Sequence, residues 1–164
     1  MKVLSTGALL FAISTTAFAG NPTSVGDVVA RDLSISGLGW AGHVGIWDGS
    51  KVLEVLNDNT VIHKNTLSSF KGASSYWGAK YGRGTRHGEI VEAGWAQRSF
   101  DPEYTITAQY TEGKWVYQNG SFVKVKAKFR CDTFVNYSYK KVTGENLVTV
   151  FTPRNLYNSF PSTR

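Results

Sequence analysis

Gly42-His43-Val44-Gly45-Ile46-Trp47-Asp48-Gly49-Ser50-Lys51-Val52-Leu53-Glu54-Val55-Leu56 reads as two β-strands and the turn that joins them. Val44 to Trp47 and Lys51 to Leu56 are dominated by β-branched, aromatic and aliphatic residues, and Asp48-Gly49-Ser50 supplies the positive φ of a tight reversal. The stretch predicts an antiparallel hairpin. It also carries an imidazole, His43, where the first strand opens, and a carboxylate, Glu54, across the turn on the second.

Outward from the hairpin, Val25 to Ala30 reads as a preceding strand, separated from it by the Gly/Ser-rich loop Leu33 to Trp40. Thr60 to His63 reads as a following one. Residues 64 to 88 mix Gly, Ser, Lys and aromatics and give only weak signals. Glu89 to Phe100 suits a helix through Ile90, Val91, Ala93, Trp95 and Ala96, with Gly94 arguing against it. Lys114 to Tyr117 and Ser121 to Phe129 flank the turn Gln118-Asn119-Gly120. In the second of these runs Val123, Val125, Ala127 and Phe129 alternate with Lys124, Lys126, Lys128 and Arg130, so one face is apolar and the other basic. From Cys131 the period becomes helical: Phe134, Val135, Tyr137 and Val142 form a stripe, Asp132 or Thr133 can cap the start, and Gly144 can end it. Strands followed by a helix that opens on cysteine give an α+β expectation.

The 164 residues are 41% hydrophobic and 13% aromatic, a composition of ordered globular chains that excludes disorder and collagen. Met1 to Ala19 reads as a secretory signal: Lys2 is the positive region, Gly7 to Ile13 the apolar stretch, and Ala17-Phe18-Ala19 the cleavage site. Residues 20 to 164 then form a single domain, destined for the periplasm or beyond the cell. No later segment is apolar enough to span a bilayer. A net charge of +6 favours anionic partners, among them wall-peptide carboxylates and an anionic envelope surface. Nucleic-acid binding through Lys124, Lys126, Lys128 and Arg130 is not expected, since the same alternation describes a solvated strand face.

With one cysteine in the chain, an intramolecular disulfide and a thiolate metal cluster are both excluded. A single cysteine in an exported protein is a candidate reactive thiol. Cys131 is that residue, at a helix start where orphan N–H groups and the macrodipole favour negative charge, with Arg130 beside it acting in the same sense. Burial as a small hydrophobe is the competing reading. A nucleophilic cysteine needs a base, and of His43, His63 and His87 only His43 follows a glycine-rich loop (Gly37, Gly39, Gly42) at a strand start; the other two read as solvated surface. No ligand spacing joins the three, and neither a metal nor a cofactor is expected. A third group should orient the imidazole. Glu54 is the first choice on the paired strand, with Asn57 and His63 as substitutes. These assignments require sulfur and imidazole to meet beside a solvent-open cleft.

Gly26-Asp27-Val28-Val29, Gly42-His43-Val44-Gly45-Ile46-Trp47 and Val52-Leu53-Glu54-Val55 resemble the corresponding segments of NlpC/P60-type cysteine hydrolases. In ordinary members the cysteine comes first. Here Cys131-Asp132-Thr133-Phe134-Val135 follows the histidine strand, which is the order of the circularly permuted, YiiX/YebB-like branch, and Phe151-Thr152-Pro153-Arg154-Asn155-Leu156 is similar to that group's C-terminal end. The group often has Ser and Glu after the cysteine, where this chain has Asp132 and Thr133. The resemblance spans nearly all of residues 20 to 164. It implies a permuted papain-like α+β fold, with an antiparallel sheet or small barrel packed on the cysteine-bearing helix. It also implies Cys131 as nucleophile, His43 as general base and Glu54 as the orienting residue. The expected function is cleavage of an amide bond through an acyl-enzyme, in a peptidoglycan peptide or, alternatively, of a lipid amide or ester; Trp40, Trp47, Trp77, Trp95 and Trp115 suit an acyl chain or a sugar face. The different class is a non-catalytic wall-binding protein that keeps the fold.

Overall fold

The computed structural model describes residues 20–34 and 41–161. The signal-like segment and most of the Gly/Ser loop, Trp40 included, lie outside them. Strands β1 (Val28–Arg31), β2 (His43–Trp47), β3 (Val52–Val55), β4 (Ile62–Asn65) and β5 (Tyr76–Lys80) form one sheet in the order β4-β3-β2-β1-β5. Every pairing is antiparallel. Helices α1 (Leu67–Gly72), α2 (His87–Ala96), α3 (Cys131–Thr143) and α4 (Pro153–Ser159) complete an α+β arrangement.

The hairpin lies where its sequence puts it. Gly49 takes φ 101°, while the Asp48 side chain accepts hydrogen bonds from the Ser50 and Lys51 amides, so the carboxylate and the glycine close the reversal together. β4 begins two residues later than Thr60, because Asp58 holds the Thr60 and Val61 amides in a turn and Val61 stands at φ 64°.

Strand alternation divides the sheet into two buried faces. Val28, Ala30, Val44, Ile46, Leu53 and Val55 belong to the main core with Ile90 of α2, Phe134 and Val135 of α3 and Leu156 of α4. Each fully buried aliphatic or aromatic side chain there contributes about 1.5–3 kcal/mol. On the opposite face Val29, Val52 and Ala79 pack under Phe70 of α1. The first nine residues of α3 are all buried. Gly94 explains itself at this point: a Cβ there would come within 2.5 Å of Ser138 Oγ and 2.9 Å of Phe134, so the glycine permits α2 to lie close against α3. The helix predicted over Glu89 to Phe100 runs from His87 to Ala96 and tightens into a 3-10 turn at Gln97–Phe100.

The run Ser121 to Phe129 departs from expectation, forming two pieces instead of one strand. β7 (Lys114–Gln118) and β8 (Ser121–Val125) make a separate two-stranded ribbon whose turn places Asn119 at φ 51° and Gly120 at φ 82°. β9 (Lys128–Phe129) pairs in parallel with β6 (Glu103–Tyr104). The break lies at Lys126-Ala127, because Ala127 and Phe129 turn into the core, whereas Trp115, Tyr117, Phe122 and Val123 of the ribbon remain exposed. The basic face is also matched by acids: Lys124 contacts Asp101, Lys126 and Lys128 contact Glu103, and Arg130 contacts Asp132. No helix of the described residues is long and apolar enough to cross a membrane.

Candidate active site

His43 stands at the first position of β2 because of the residue before it. Gly42 adopts φ 76°, and a Cβ there would come within 2.1 Å of the Trp77 indole, so only glycine lets the chain enter the strand at this point. Gly45 then makes room on the same face two residues on. It pairs with Glu54, and a Cβ at Gly45 would come within 2.5 Å of Val52 and 3.0 Å of the Leu53 carbonyl oxygen. The Glu54 side chain uses that space to reach diagonally to His43.

The contact is close: His43 Nε2 lies 2.7 Å from Glu54 Oε2. Both residues are buried, at 4% and 2% exposure. Asn65 Nδ2 donates to Glu54 Oε1 at 2.8 Å, and Arg31 Nη2 lies 4.0 Å from Oε2. Arg31 is directly opposite His43 across the β1–β2 pairing and stacks over Phe70, whose ring also flanks the imidazole. Its Nη1 donates to Ser34 Oγ, Ser74 Oγ and the Asp32 carbonyl. A polar row, Arg31, His43, Glu54 and Asn65, thus crosses four strands inside an otherwise apolar layer.

Cys131 is the first residue of α3, also 4% exposed. The helix start is braced by Thr133, whose Oγ1 accepts the Arg130 amide at 3.0 Å, and by Asp132, whose Oδ1 accepts the Thr133 amide at 2.9 Å. Arg130 occupies the capping position in place of Asp132 or Thr133. Its guanidinium meets Asp132 through two 2.7 Å hydrogen bonds and donates to the Ile106 and Phe151 carbonyls. The charge that the sequence placed beside the thiol is therefore matched by its own carboxylate. The Cys131 amide belongs to the first turn, where helix geometry leaves N–H groups without intrahelical acceptors.

Thiol and imidazole meet where α3 reaches the opening of β2. Burial pushes His43 toward its neutral form, but the charge of Cys131, a hydrogen bond to its thiol, and the Glu54 carboxylate together outweigh burial and raise the imidazole to about 9. Burial likewise pushes Glu54 up. The hydrogen bonds and charge of His43, the Asn65 amide and the Arg31 charge bring it below the usual carboxylate range. Since Glu54 engages Nε2, Nδ1 is the ring nitrogen left for sulfur. At neutral pH the imidazole holds two protons, one directed to Glu54 and one available toward Cys131.

Beside the thiol is a cavity of about 410 Å³, with Leu33, Tyr104, Arg130, Phe151, Pro153 and Arg154 among its walls. Cys131 is itself part of that wall with its side chain 4% exposed, so the open cleft expected beside the thiol is a half-enclosed cavity. Of the substitutes for Glu54, His63 stands directly opposite it in the β3–β4 register but turns to another carboxylate, and Asn57 lies beyond the end of β3. Asn57 is exposed, and His63 hydrogen-bonds Asp58 at 2.8 Å. His87, expected in a solvated loop, instead opens α2, and its Nε2 is buried without a hydrogen-bond partner. Arg31, Asn65, Tyr104 and Arg154 are additions that no local motif announces. Arg31 carries one signal, a charged residue closing the apolar strand β1, whereas β4 is mostly polar and gives Asn65 none. No family model, curated protein or solved structure matches the chain.

Proposed function

We propose that this protein is an exported thiol hydrolase of the permuted, papain-like NlpC/P60 kind that cleaves an amide bond, with a cell-wall peptide as substrate. The observation that carries the reading is the buried Glu54–His43 pair converging on a cysteine at a helix start. That arrangement supplies a nucleophile, a proton donor and an orienting carboxylate in one place.

Cys131 Sγ attacks the carbonyl carbon, forming the S–C bond while the carbonyl π pair moves to oxygen. The Cys131 amide donates to that oxyanion. As the tetrahedral intermediate collapses the C–N bond breaks, and His43 delivers its Nδ1 proton to the departing amine. His43, now neutral, then takes a proton from water, whose oxygen attacks the thioester. The carbonyl π pair moves to oxygen as the new C–O bond forms, and collapse breaks the C–S bond, releasing the carboxylic acid and restoring the Cys131 thiolate beside the protonated His43. Glu54 stays ionised throughout and fixes the ring by accepting from Nε2.

The apolar walls Leu33, Tyr104, Phe151 and Pro153 favour a second reading, hydrolysis or transfer of a lipid acyl group at the same thiol. Mass spectrometry of peptidoglycan digests and of lipid extracts, incubated with wild-type and Cys131→Ala protein, separates the two. Wall peptides cleaved only by the wild type support the first reading, and altered lipids with intact wall peptides support the second. Neither pool changing favours a non-catalytic wall-binding role.

A further inference from the structure

We propose that Arg31 is a positioning residue of this site: its guanidinium keeps Glu54 ionised through the acyl-enzyme half of the cycle, in which His43 is neutral. The inference rests on the thiol-hydrolase reading of the same site. Arg31 closes β1 directly opposite His43, is 6% exposed, and holds Nη2 4.0 Å from Glu54 Oε2. Among the described residues Glu54 is the carboxylate within ion-pair reach of this guanidinium. Its hydrogen bonds go to neutral acceptors: Nη1 donates to Ser34 Oγ, Ser74 Oγ and the Asp32 carbonyl, while Nε is buried without a hydrogen-bond partner. The Asp32 carboxylate turns instead to the Trp77 indole. Burial works against the charge on Arg31, and the charges of Glu54 and Cys131 oppose that loss.

At 4.0 Å the guanidinium acts through charge and not through a hydrogen bond, which leaves Glu54 Oε2 to the imidazole at 2.7 Å. While His43 is protonated, Glu54 lies between two cations. Once His43 has given its Nδ1 proton to the leaving group, the imidazolium is gone and burial favours a neutral carboxyl. A neutral Glu54 would not stabilise the imidazolium that re-forms when His43 takes the proton of the attacking water. Arg31 carries a charge that persists through the cycle. The titratable and charged groups around this corner are Arg31 from β1, His43 from β2 and Cys131 from α3. β4 presents the neutral amide of Asn65 and His63, whose Nε2 is taken by Asp58, and α1 presents the Phe70 ring.

The test uses p-nitrophenyl acetate. Cys131 Sγ bonds the acetyl carbon as the C–O bond breaks and nitrophenolate leaves, with no proton required from His43. Water then attacks the thioester while giving a proton to His43, the C–S bond breaks and acetate is released. The burst of nitrophenolate reads acylation, and the later rate reads deacylation. In Arg31→Met the burst rate should stay within about threefold while deacylation falls on the order of tenfold, the worth of one pKa unit. The acid limb of deacylation should move to higher pH, because loss of a positive charge favours proton uptake by the His43–Glu54 pair. Arg31→Lys should restore most of both. A second readout needs no Arg31 variant: with Cys131 capped by iodoacetamide, the Glu54 carboxyl, assigned in carbon NMR against Glu54→Gln, should keep its ionised shift while His43 takes up its proton on acidification. A Glu54 carboxyl that titrates in place of the imidazole, an acid limb unmoved in Arg31→Met, or equal losses in Arg31→Met and Arg31→Lys overturns the role of Arg31 and leaves the thiol site standing. A burst absent from the unaltered protein, or undiminished in Cys131→Ala, overturns the hydrolase reading and the role of Arg31 with it.

Discussion

His43 keeps its second proton up to about pH 9 because Cys131 and Glu54 together outweigh its burial. The alkaline limb of the pH–rate profile should therefore lie near 9, and Glu54→Gln should move it downward, toward the ordinary imidazole value of about 6.5, while lowering turnover by tens of fold. A pH profile of kcat for the two proteins checks both effects, and an unmoved limb would show that Glu54 does not hold the imidazole. The same shift links to stability. A raised imidazole adds stability that is full below about pH 6.5 and is lost as pH climbs through about 9; the lowered Glu54 adds stability that is lost as pH falls through its depressed value. Urea midpoints should peak between these limits, and His43→Ala should flatten the alkaline side. Cys131→Ala and His43→Ala should each abolish turnover, with the double variant no worse than either, because nucleophile and proton donor act as one unit.

At the scale of elements, two glycines support the site in different ways. Gly45→Ala should destabilise by about 1–3 kcal/mol and lower activity, since the new methyl meets Val52 and the Leu53 backbone and displaces Glu54. Gly144→Ala should cost about 1 kcal/mol through the left-handed cap of α3, φ 83°, and leave turnover unchanged. Urea unfolding and steady-state kinetics of both proteins separate the two cases. The β2–β3 hairpin, the Asn119-Gly120 turn, α3 and its Gly144 cap are legible in the sequence because each depends on a local signal: a period, a turn pair, a left-handed glycine. The pairing of His43 with Glu54 is legible for the same reason, as neighbours on one hairpin. Arg31 and Asn65 are not, because strand order brings them to Glu54 and strand order is a long-range property. The division of Ser121 to Phe129 is equally hidden: alternation continues unbroken through Lys126-Ala127, and only the core that receives Phe129 shows where the ribbon ends.

Across the whole molecule, apolar residues of similar local pattern have opposite fates. Phe134→Ala, at 0% exposure in the main core, should destabilise by about 3–5 kcal/mol, whereas Phe122→Ser, at 70% exposure on the β7–β8 ribbon, should change stability by less than about 0.5 kcal/mol. Chemical denaturation of the two proteins tests whether the ribbon stands apart from the cooperative core. The central claim concerns the point where the α3 layer and the sheet layer meet, and intact-protein mass spectrometry tests it most directly. Protein mixed briefly with peptidoglycan digest, or with lipid extract, and quenched in acid should gain the mass of one acyl fragment at Cys131 in the wild type, and none in Cys131→Ala. Substrate cleavage by Cys131→Ala at the wild-type rate, with no adduct on either protein, would contradict the account.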